Sequence, residues 1–379
     1  MADPVAALAA GIRWRWRTAR IARPVVGSSR VRLLIGPANS AGQAFRWARA
    51  AERLDGVSGC AFAIQPADDR FRFAADGRVA ALDYSQNYVW RERQRRDVTE
   101  RFTHVLMESG QGPWRGDAGD QIAELRRAGL VVGLLFHGSD IRTPHRHAEL
   151  ETDSPFIDGW YPETDKLEKT TARNHELVRA AECPVFVSTP DLLDFLPDAT
   201  WLPVVVDPEP WRRAVTRPAL ERERPVVVHA PSRRGLKGSE AIAPALRALD
   251  AEGLIRYREV TGVPAAEMPA LYGDADIVLD HFVMGGYGVA GCEAMAAGRV
   301  VLAHVADRHR EVVRRTADMD LPVVEARVGD IGDVIRRILA DRDTYRTLAG
   351  HGPEFVARLH DGAHAARVLS AFLGAEENA

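Results

Sequence analysis

Two segments in the second half of the chain carry residue types that bind phosphate in proteins. In the first, residues 229–238, Arg233, Arg234 and Lys237 follow an apolar, strand-like run and precede a helix-like one. Phosphate oxygens need cations or backbone donors; arginine offers a forked pair of N–H groups and lysine a point charge. The segment therefore predicts a phosphate site at a strand end, although a basic loop exposed to water is an open alternative.

The second segment, residues 285–298, combines a glycine loop, the start of a helix and a carboxylate. Glycines let the backbone approach a ligand closely, and the helix opening near Val289 directs free N–H groups and a partial positive charge at it. Glu293 lies about one turn inside that helix, where its carboxylate could accept hydrogen bonds from a ribose diol. A tight turn followed by a solvent-facing glutamate is the alternative.

Together the two segments suit a diphosphate attached to a ribose, which is a nucleotide-sugar. The residues predicted to bind it in the second segment are Gly286, Tyr287, Gly288, Val289 and Glu293.

Two loops of the first half follow apolar, strand-like runs. In residues 136–142, His137 lies at a strand end near Asp140, where an imidazole could hydrogen-bond a transferred sugar or an acceptor. A core or capping histidine is the alternative. Residues 35–43 do not fit the G-x-G-x-x-G dinucleotide pattern; they are predicted to face the donor or the acceptor, with Gly42 among the nucleotide-sugar contacts.

Nothing in the sequence points to a resident metal or cofactor. Asp-x-Asp pairs at 274–276, 318–320 and 341–343 are unremarkable in a chain this rich in aspartate, and no Cys/His spacing suggests zinc. We therefore expect no metal and no cofactor, because the nucleotide-sugar would be a substrate.

Composition describes an ordinary soluble protein. The 379 residues are 46% hydrophobic and 27% charged, with a net charge of -3, so the chain does not resemble a nucleic-acid binder. Three distant cysteines argue against a disulfide framework and fit a reducing cytoplasm. No apolar run reaches the roughly 18 residues that a membrane-spanning helix needs.

The first 30 residues are unusually basic. They hold six arginines together with Trp14 and Trp16, against the single acid Asp3. Such a segment would fit peripheral contact with an anionic membrane at the inner face. The favoured alternative is a solvated helix leading into the first strand, because the alternation of arginine and tryptophan spreads the tryptophans around a helix.

Short apolar runs alternate with longer amphipathic ones along the chain, which is typical of α/β proteins with parallel sheets. Ten strands are predicted, at residues 31–35, 59–64, 103–107, 131–136, 184–188, 225–229, 255–260, 276–280, 300–304 and 321–325. Helices are predicted at residues 42–54, 118–128, 239–249, 293–297 and 331–340.

A proline-rich, charged stretch separates the two sets of strands. The predicted organisation is a basic segment, a first Rossmann-like domain for the acceptor, a linker, a second Rossmann-like domain for the donor, and a crossover helix with a tail. These correspond to residues 1–30, 31–205, 206–224, 225–352 and 353–379. Ligands of open α/β sheets lie outside the carboxyl ends of the strands, so we expect the chemistry at the strand-end loops.

The phosphate segment resembles that of the retaining family-4-type glycosyltransferases, a group with many bacterial members and the GT-B fold. In that family an arginine and a lysine followed by glycine bind the donor phosphates. The lysine and glycine correspond here to Lys237 and Gly238, and the arginine to Arg233 or Arg234.

The glycine loop resembles the same family, in which two glutamates separated by seven residues flank a glycine–aromatic–glycine loop. The second glutamate corresponds to Glu293, whereas the first position is Gly285, a departure that puts sugar recognition in question. Asp280, or the backbone of the loop, is expected to supply that contact instead. His137 matches a first-domain histidine near the transferred sugar.

The resemblance implies two Rossmann-like domains facing a cleft, with a final helix near residues 354–372 returning to the first domain. It also implies metal-independent transfer of a hexose-type sugar from a nucleoside diphosphate sugar with retention of configuration, with His137, Arg233 and Lys237 as catalytic residues. The acceptor would be a glycan, a glycolipid or a natural product. Two alternatives stay open: a nucleotide-sugar epimerase or hydrolase of this fold, and a degenerate nucleotide-binding or scaffold protein.

Overall fold

The computed structural model describes residues 4–376, with side chains from residue 11 onward. It contains two sheets. The strands of the first are β1 (Val31–Gly36), β2 (Val57–Gln65), β3 (Gly77–Ala80), β4 (His104–Glu108), β5 (Val131–Phe136), β6 (Val185–Val187) and β7 (Thr200–Trp201). Those of the second are β8 (Val226–His229), β9 (Arg256–Glu259), β10 (Ile277–Leu279), β11 (Val300–Ala303) and β12 (Val323–Glu325).

The strand orders are those of open α/β sheets. The seven-stranded sheet has the order β3-β2-β1-β4-β5-β6-β7, and the five-stranded sheet has the order β12-β11-β10-β8-β9. The pairings among β1 to β5 and all pairings of the second sheet are parallel. The α/β prediction is therefore confirmed, and each sheet brings the carboxyl ends of its parallel strands to one edge.

Helices fill the crossovers between the strands. In the first half of the chain they are α1 (Pro4–Arg20), α2 (Gln43–Ala51), α3 (Ala81–Gln86), α4 (Tyr88–Arg101), α5 (Ala118–Arg127), α6 (Pro144–Leu150) and α7 (Thr164–Ala181). In the second half they are α8 (Pro208–Arg213), α9 (Arg234–Lys237), α10 (Ser239–Ala251), α11 (Met268–Gly273), α12 (Val289–Ala296), α13 (Asp307–Ala317), α14 (Ile331–Ala340), α15 (Arg342–Gly350), α16 (Gly352–Leu359) and α17 (Ala363–Leu373).

All ten predicted strands are present, with ends that differ from the predictions by at most two residues. Two short strands, β3 and β7, were not predicted, because runs of four and two residues carry too little pattern to recognise. The predicted helices are present as well, and the one at residues 293–297 begins earlier, at Val289.

The predicted final helix is corrected. Residues 352–373 form two helices, α16 and α17, instead of one. The break falls at Gly362, whose φ of 101° is incompatible with a continuous helix. Just before this break, the His360 ring makes two hydrogen bonds. Its Nε2 shares one with the Tyr287 hydroxyl at 3.1 Å, and its Nδ1 lies 2.8 Å from the carbonyl oxygen of Val204.

Packing divides the chain into two compact units. The first consists of residues 1–140, 173–186 and 366–379, and the second of residues 141–172 and 187–365. Most of the last described helix, α17, thus belongs to the first unit, as the fold prediction requires. The domain boundaries predicted at residues 205 and 224 refer to domains that fold independently. They stay a prediction.

The core of the second unit lies between its sheet and two helices. Ile242 and Leu246 from α10 and Ile335 from α14 are fully buried against Val227 and Ile277 of the sheet. Burial of such side chains contributes roughly 1.5–3 kcal/mol each. This packing fixes the ends of β8 and β10, from which the two segments predicted to bind phosphate continue.

Within the basic first segment, residues 4–20 form α1, and both interpretations of the segment stay predictions. Its two tryptophans have opposite environments: Trp14 is 7% exposed and Trp16 is 65% exposed. In the described residues, no helix combines the length and the hydropathy needed to cross a bilayer.

Candidate functional site

A buried carboxylate connects the two segments of the second unit that are predicted to bind phosphate. Asp280 directly follows β10 and is completely buried. One of its oxygens is paired with the Lys237 ammonium group, and the other accepts a hydrogen bond from the Gly288 N–H at 2.8 Å. Burial raises the pKa of the Asp280 carboxyl, but the charges of His281 and Lys237 and the Gly288 hydrogen bond outweigh it and lower the pKa below its usual range.

Asp280 therefore holds a cation and a backbone loop in one fixed geometry. In the structure its two oxygens position Lys237 and the Gly288 N–H. The predicted contact of Asp280 with the sugar stays a prediction.

The glycines of the loop make room for acidic side chains. A Cβ atom at Gly285, whose φ is +71°, would lie 2.4 Å from a carboxylate oxygen of Glu151. A Cβ at Gly286 would lie 2.9 Å from an oxygen of Asp191. Residues 285–288 are thus wrapped by acidic side chains from other parts of the unit, and larger residues cannot enter without moving them.

Each of these carboxylates has a cationic partner. Asp191 is paired with the buried guanidinium of Arg142, and Glu151 receives hydrogen bonds from Arg308 at 2.6 Å and His304 at 2.8 Å. For Asp191, burial raises the carboxyl pKa, but the charges of Arg142 and His309 outweigh it and lower the pKa to about 2. These pairs balance the charge around the loop.

The pKa of Glu151 shows the same competition. Burial raises it, and the hydrogen bonds from His304 and Arg308 outweigh burial and lower the pKa to about 2. Glu151 therefore stays ionised at neutral pH, and its negative charge beside Gly285 is permanent.

The glycine loop ends at the start of α12. Gly288 is the residue before this helix, and no side chain caps the helix there. Val289 opens the first turn, whose N–H groups have no partner within the helix. Glu293 is partly exposed on α12 between the buried residues Cys292 and Ala294, so its carboxylate is not closed into the core. The structure thus brings Lys237, the loop and Val289 together, with Glu293 one turn beyond.

The structure separates the two adjacent arginines. Arg234 is paired with Glu240 at 3.0 Å and with Glu259. Arg233 is exposed and interacts with the hydroxyl of Tyr161. Because the Arg234 guanidinium is paired with Glu259 at the end of β9, Arg233 is the better candidate for the predicted phosphate contact.

The first unit has its own polar cluster at strand ends. His137 follows β5, and its Nε2 lies 2.9 Å from Glu108 at the end of β4. Its ring stacks on Trp47 at 5.7 Å between centroids. The Asp140 carboxylate accepts the backbone N–H of His137 at 3.0 Å and that of Gly138 at 2.8 Å. Burial lowers the pKa of His137, but the hydrogen bond and charge of Glu108 outweigh it, so the pKa is raised.

Gly42 lies in the same unit, before α2, with a φ of +75°. A Cβ there would come within 3.1 Å of the Phe73 ring. This packing explains the glycine without a ligand, and its contact with a nucleotide-sugar stays a prediction.

Sequence reasoning missed four polar residues that shape these clusters: Glu108, Arg142, Glu151 and Asp191. Glu108 ends β4 as His137 follows β5, so its position at a strand end was a usable signal. Glu151 gave no such signal, because its partner His304 is 153 residues away in the chain. Among the described residues, no group of three or more His, Cys, Asp or Glu side chains is arranged to hold a metal ion.

No protein-family model and no curated protein sequence matches this chain. Solved structures do. A sucrose-phosphate synthase from Thermosynechococcus elongatus is 15% identical with a TM-score of 0.58, covering 90% of this chain and 98% of that one. Anabaena HepE in complex with UDP-glucose is 12% identical with a TM-score of 0.58, covering 90% and 99%.

A third similar structure is an alpha-glucosyltransferase in complex with UDP and a 13-mer DNA containing a HMU base. It is 10% identical with a TM-score of 0.55, covering 92% of this chain and 100% of that one. At such identities the likeness concerns the fold. This chain has the α/β architecture of the GT-B glycosyltransferases over nearly its whole length.

Proposed function

We propose that this chain is a glycosyltransferase that moves a hexose-type sugar from a nucleoside diphosphate sugar to a sugar-bearing or small-molecule acceptor. The observation that carries the proposal is Asp280, which fixes Lys237 beside the glycine loop and the start of α12. Cation, loop and helix start lie at the strand ends of a fold shared with glycosyltransferases, and HepE was solved with UDP-glucose. These findings support a donor of the same class.

The reaction needs positive charge where the diphosphate leaves. When the bond between the anomeric carbon and the phosphate oxygen breaks, negative charge collects on that oxygen. Lys237, Arg233 and the N–H groups at Val289 would stabilise it from fixed positions, and such preorganised donors supply much of the rate in many enzymes. We propose that these groups provide enough charge without a metal ion.

Retention of configuration follows from the proposed face of attack on the anomeric carbon. The acceptor hydroxyl would attack from the face that the diphosphate leaves and pass its proton to the departing phosphate oxygen, forming the new glycosidic bond. Glu293 would hold the ribose hydroxyls. His137, with its pKa raised by Glu108, would donate a hydrogen bond to an oxygen of the sugar or the acceptor.

The test compares Lys237→Met with Lys166→Met, a matched control at a lysine that is 74% exposed. Thermal shifts with UDP, GDP, dTDP and ADP and their sugars, with Mg²⁺ or with EDTA, first identify the donor. We then expect Lys237→Met to lower sugar transfer about 100-fold or more, as loss of a charge-stabilising group does, while Lys166→Met transfers as the wild type does. Transfer at the wild-type rate by Lys237→Met would refute the assignment.

The same assay separates the alternatives. Donor cleavage or sugar isomerisation in the absence of any acceptor would indicate a hydrolase or an epimerase. Nucleotide binding without turnover of any donor would indicate a degenerate homologue. Stabilisation only in the presence of Mg²⁺ would contradict the metal-independent mechanism.

A further inference from the structure

Helix α1 presents an unusual surface to solvent. Ile12 and Trp16, four residues apart, share one face of the helix and are 51% and 65% exposed. Arg13, Arg15 and Arg20 flank this pair and are exposed as well. The outward face is thus an apolar strip bordered by cations.

The opposite face is anchored in the first unit, so the strip cannot turn inward. Trp14 is buried, and Arg17 donates a hydrogen bond to Asp83 at 2.8 Å. Arg93 of α4 donates hydrogen bonds to the carbonyl oxygens of Thr18 at 2.6 Å and Ile21 at 2.9 Å. These bonds hold the helix axis and its rotation, which leaves Trp16 directed outward.

The charged side chains of this segment have one sign. Residues 11–30 contain six arginines and no acidic residue. The guanidinium of Arg20 lies over the Trp16 ring, 5.9 Å from its centroid. An indole beside arginines matches the boundary between lipid headgroups and acyl chains, where the ring sits among the headgroups and the cations meet lipid phosphates.

We propose that the outward face of α1 docks on an anionic bilayer surface. Ile12 and Trp16 would enter the headgroup region, and Arg13, Arg15 and Arg20 would bind the lipid phosphates, with the helix lying in the plane of the membrane. Nucleic acid would also attract the arginines, but it offers no apolar phase for the exposed Ile12 side chain. This docking is independent of the proposed function, since none of these residues belongs to the donor site.

Sedimentation with lipid vesicles tests the proposal. One set contains two parts phosphatidylcholine and one part phosphatidylglycerol, and the other phosphatidylcholine alone. We expect the full chain to bind the first set and not the second. Arg13→Gln/Arg15→Gln/Arg20→Gln should weaken this binding about 100-fold, because each cation near such a surface contributes about fivefold.

The control Arg91→Gln/Arg96→Gln/Arg127→Gln removes the same charge from exposed positions elsewhere in the first unit and should bind as the wild type does. Trp16→Ser should also weaken binding. Brominated lipids should quench the tryptophan fluorescence of the wild type more than that of this variant. Circular dichroism verifies that each variant is folded.

Three results would overturn the proposal: equal binding to both vesicle sets or to neither, undiminished binding by the α1 triple variant, or tighter binding of the wild type to an RNA or DNA oligomer than to the anionic vesicles. A donor-induced thermal shift that is the same in wild type and triple variant shows that the outcome does not depend on the proposed function.

Discussion

At the scale of single residues, Asp280 determines how the proposed donor site is held. It is buried, and its two oxygens hold Lys237 and the Gly288 N–H. Replacing it by asparagine removes the charge that balances Lys237 and leaves one of the two donors, Lys237 or the Gly288 N–H, without an acceptor oxygen. We expect Asp280→Asn to lower the free energy of unfolding by about 2 kcal/mol, measured by urea unfolding.

A double-mutant cycle with Lys237→Met isolates the pair. If Asp280 acts through Lys237, its substitution should cost less in the Lys237→Met background, because the unpaired cation is then absent. Equal costs in both backgrounds would show that the Gly288 hydrogen bond alone explains the effect. Donor affinity should fall in Asp280→Asn, since Lys237 is no longer held in place.

Gly285 gives a second prediction at this scale. Its positive φ and the Glu151 oxygen only 2.4 Å from a Cβ position both exclude a side chain. We expect Gly285→Ala to reduce the free energy of unfolding by more than about 2 kcal/mol, because strain and displacement of a paired carboxylate add. Gly329→Ala, with no atom within 4 Å of its Cβ position, is the matched control and should stay within about 0.5 kcal/mol of the wild type.

The same geometry bears on the glutamate that the resembling family has at the position of Gly285. Gly285→Glu should be destabilised at least as much as Gly285→Ala and should not gain activity, because Glu151 already places a carboxylate at that point. A stable, more active Gly285→Glu variant would contradict this account.

At the scale of elements, the ends of β11, β12 and α6 are joined by one histidine. His304 follows β11, and its two ring nitrogens lie 2.8 Å from Glu151 and 2.6 Å from Glu325. Burial lowers the pKa of His304, but the hydrogen bonds that its ring donates to both carboxylates outweigh burial and raise the pKa to about 9. Both nitrogens then carry protons at neutral pH and hold the three elements together.

This raised pKa predicts a pH dependence with a definite sign. A histidine in the unfolded chain has a pKa of about 6.5, so its folded-state charge stabilises the protein fully below that pH. The contribution is lost as pH rises toward about 9. Over this interval the free energy of unfolding of the wild type should fall by about 2 kcal/mol more than that of His304→Gln. This figure allows for the partial screening of Glu325 by water.

Urea unfolding at several pH values measures this difference, and His351→Gln, at an exposed histidine, is the control that should follow the wild type. Parallel pH profiles of the wild type and His304→Gln would contradict the charged network.

Elements were easier to predict from the sequence than contacts. Strands such as β8 and β11 are buried on both faces, so they read as continuous apolar runs, and all ten predicted strands are present. Short runs such as β3 carry no such signal. Within the site, the sequence singled out Lys237 and the glycine loop through their positions after strands.

What the sequence could not predict is how these residues are paired. The bonds of Asp280 and Glu151 join positions far apart in the chain. Spacing predicts neighbours only within one helix or strand, whereas tertiary pairing depends on how the crossovers pack. The sequence accordingly did not predict that the oxygens of Asp280 hold Lys237 and the loop.

At the scale of the whole molecule, the path of the chain makes the first unit depend on the last residues. Residues 366–379 belong to the first unit although residues 187–365 precede them in the second. Phe372 of α17 packs edge-on against His104 of β4 at 5.5 Å and against Phe186 at 5.7 Å between ring centroids. It also fills the space above Gly133 of β5, where a Cβ would lie 3.1 Å from its ring.

Phe372→Ala should therefore weaken the first unit selectively. Removing a buried phenylalanine ring costs about 3 kcal/mol, and the cavity would lie beside β4 and β5. Native-state hydrogen exchange should show lost protection in these two strands while β8 and β10 keep theirs, because units with separate cores open separately. Ala371→Ser, at an exposed neighbour on α17, should leave both patterns unchanged. An equal loss of protection in β4 and β8 would instead mean that the two units unfold as one, and that the last helix stabilises the molecule beyond the unit that contains it.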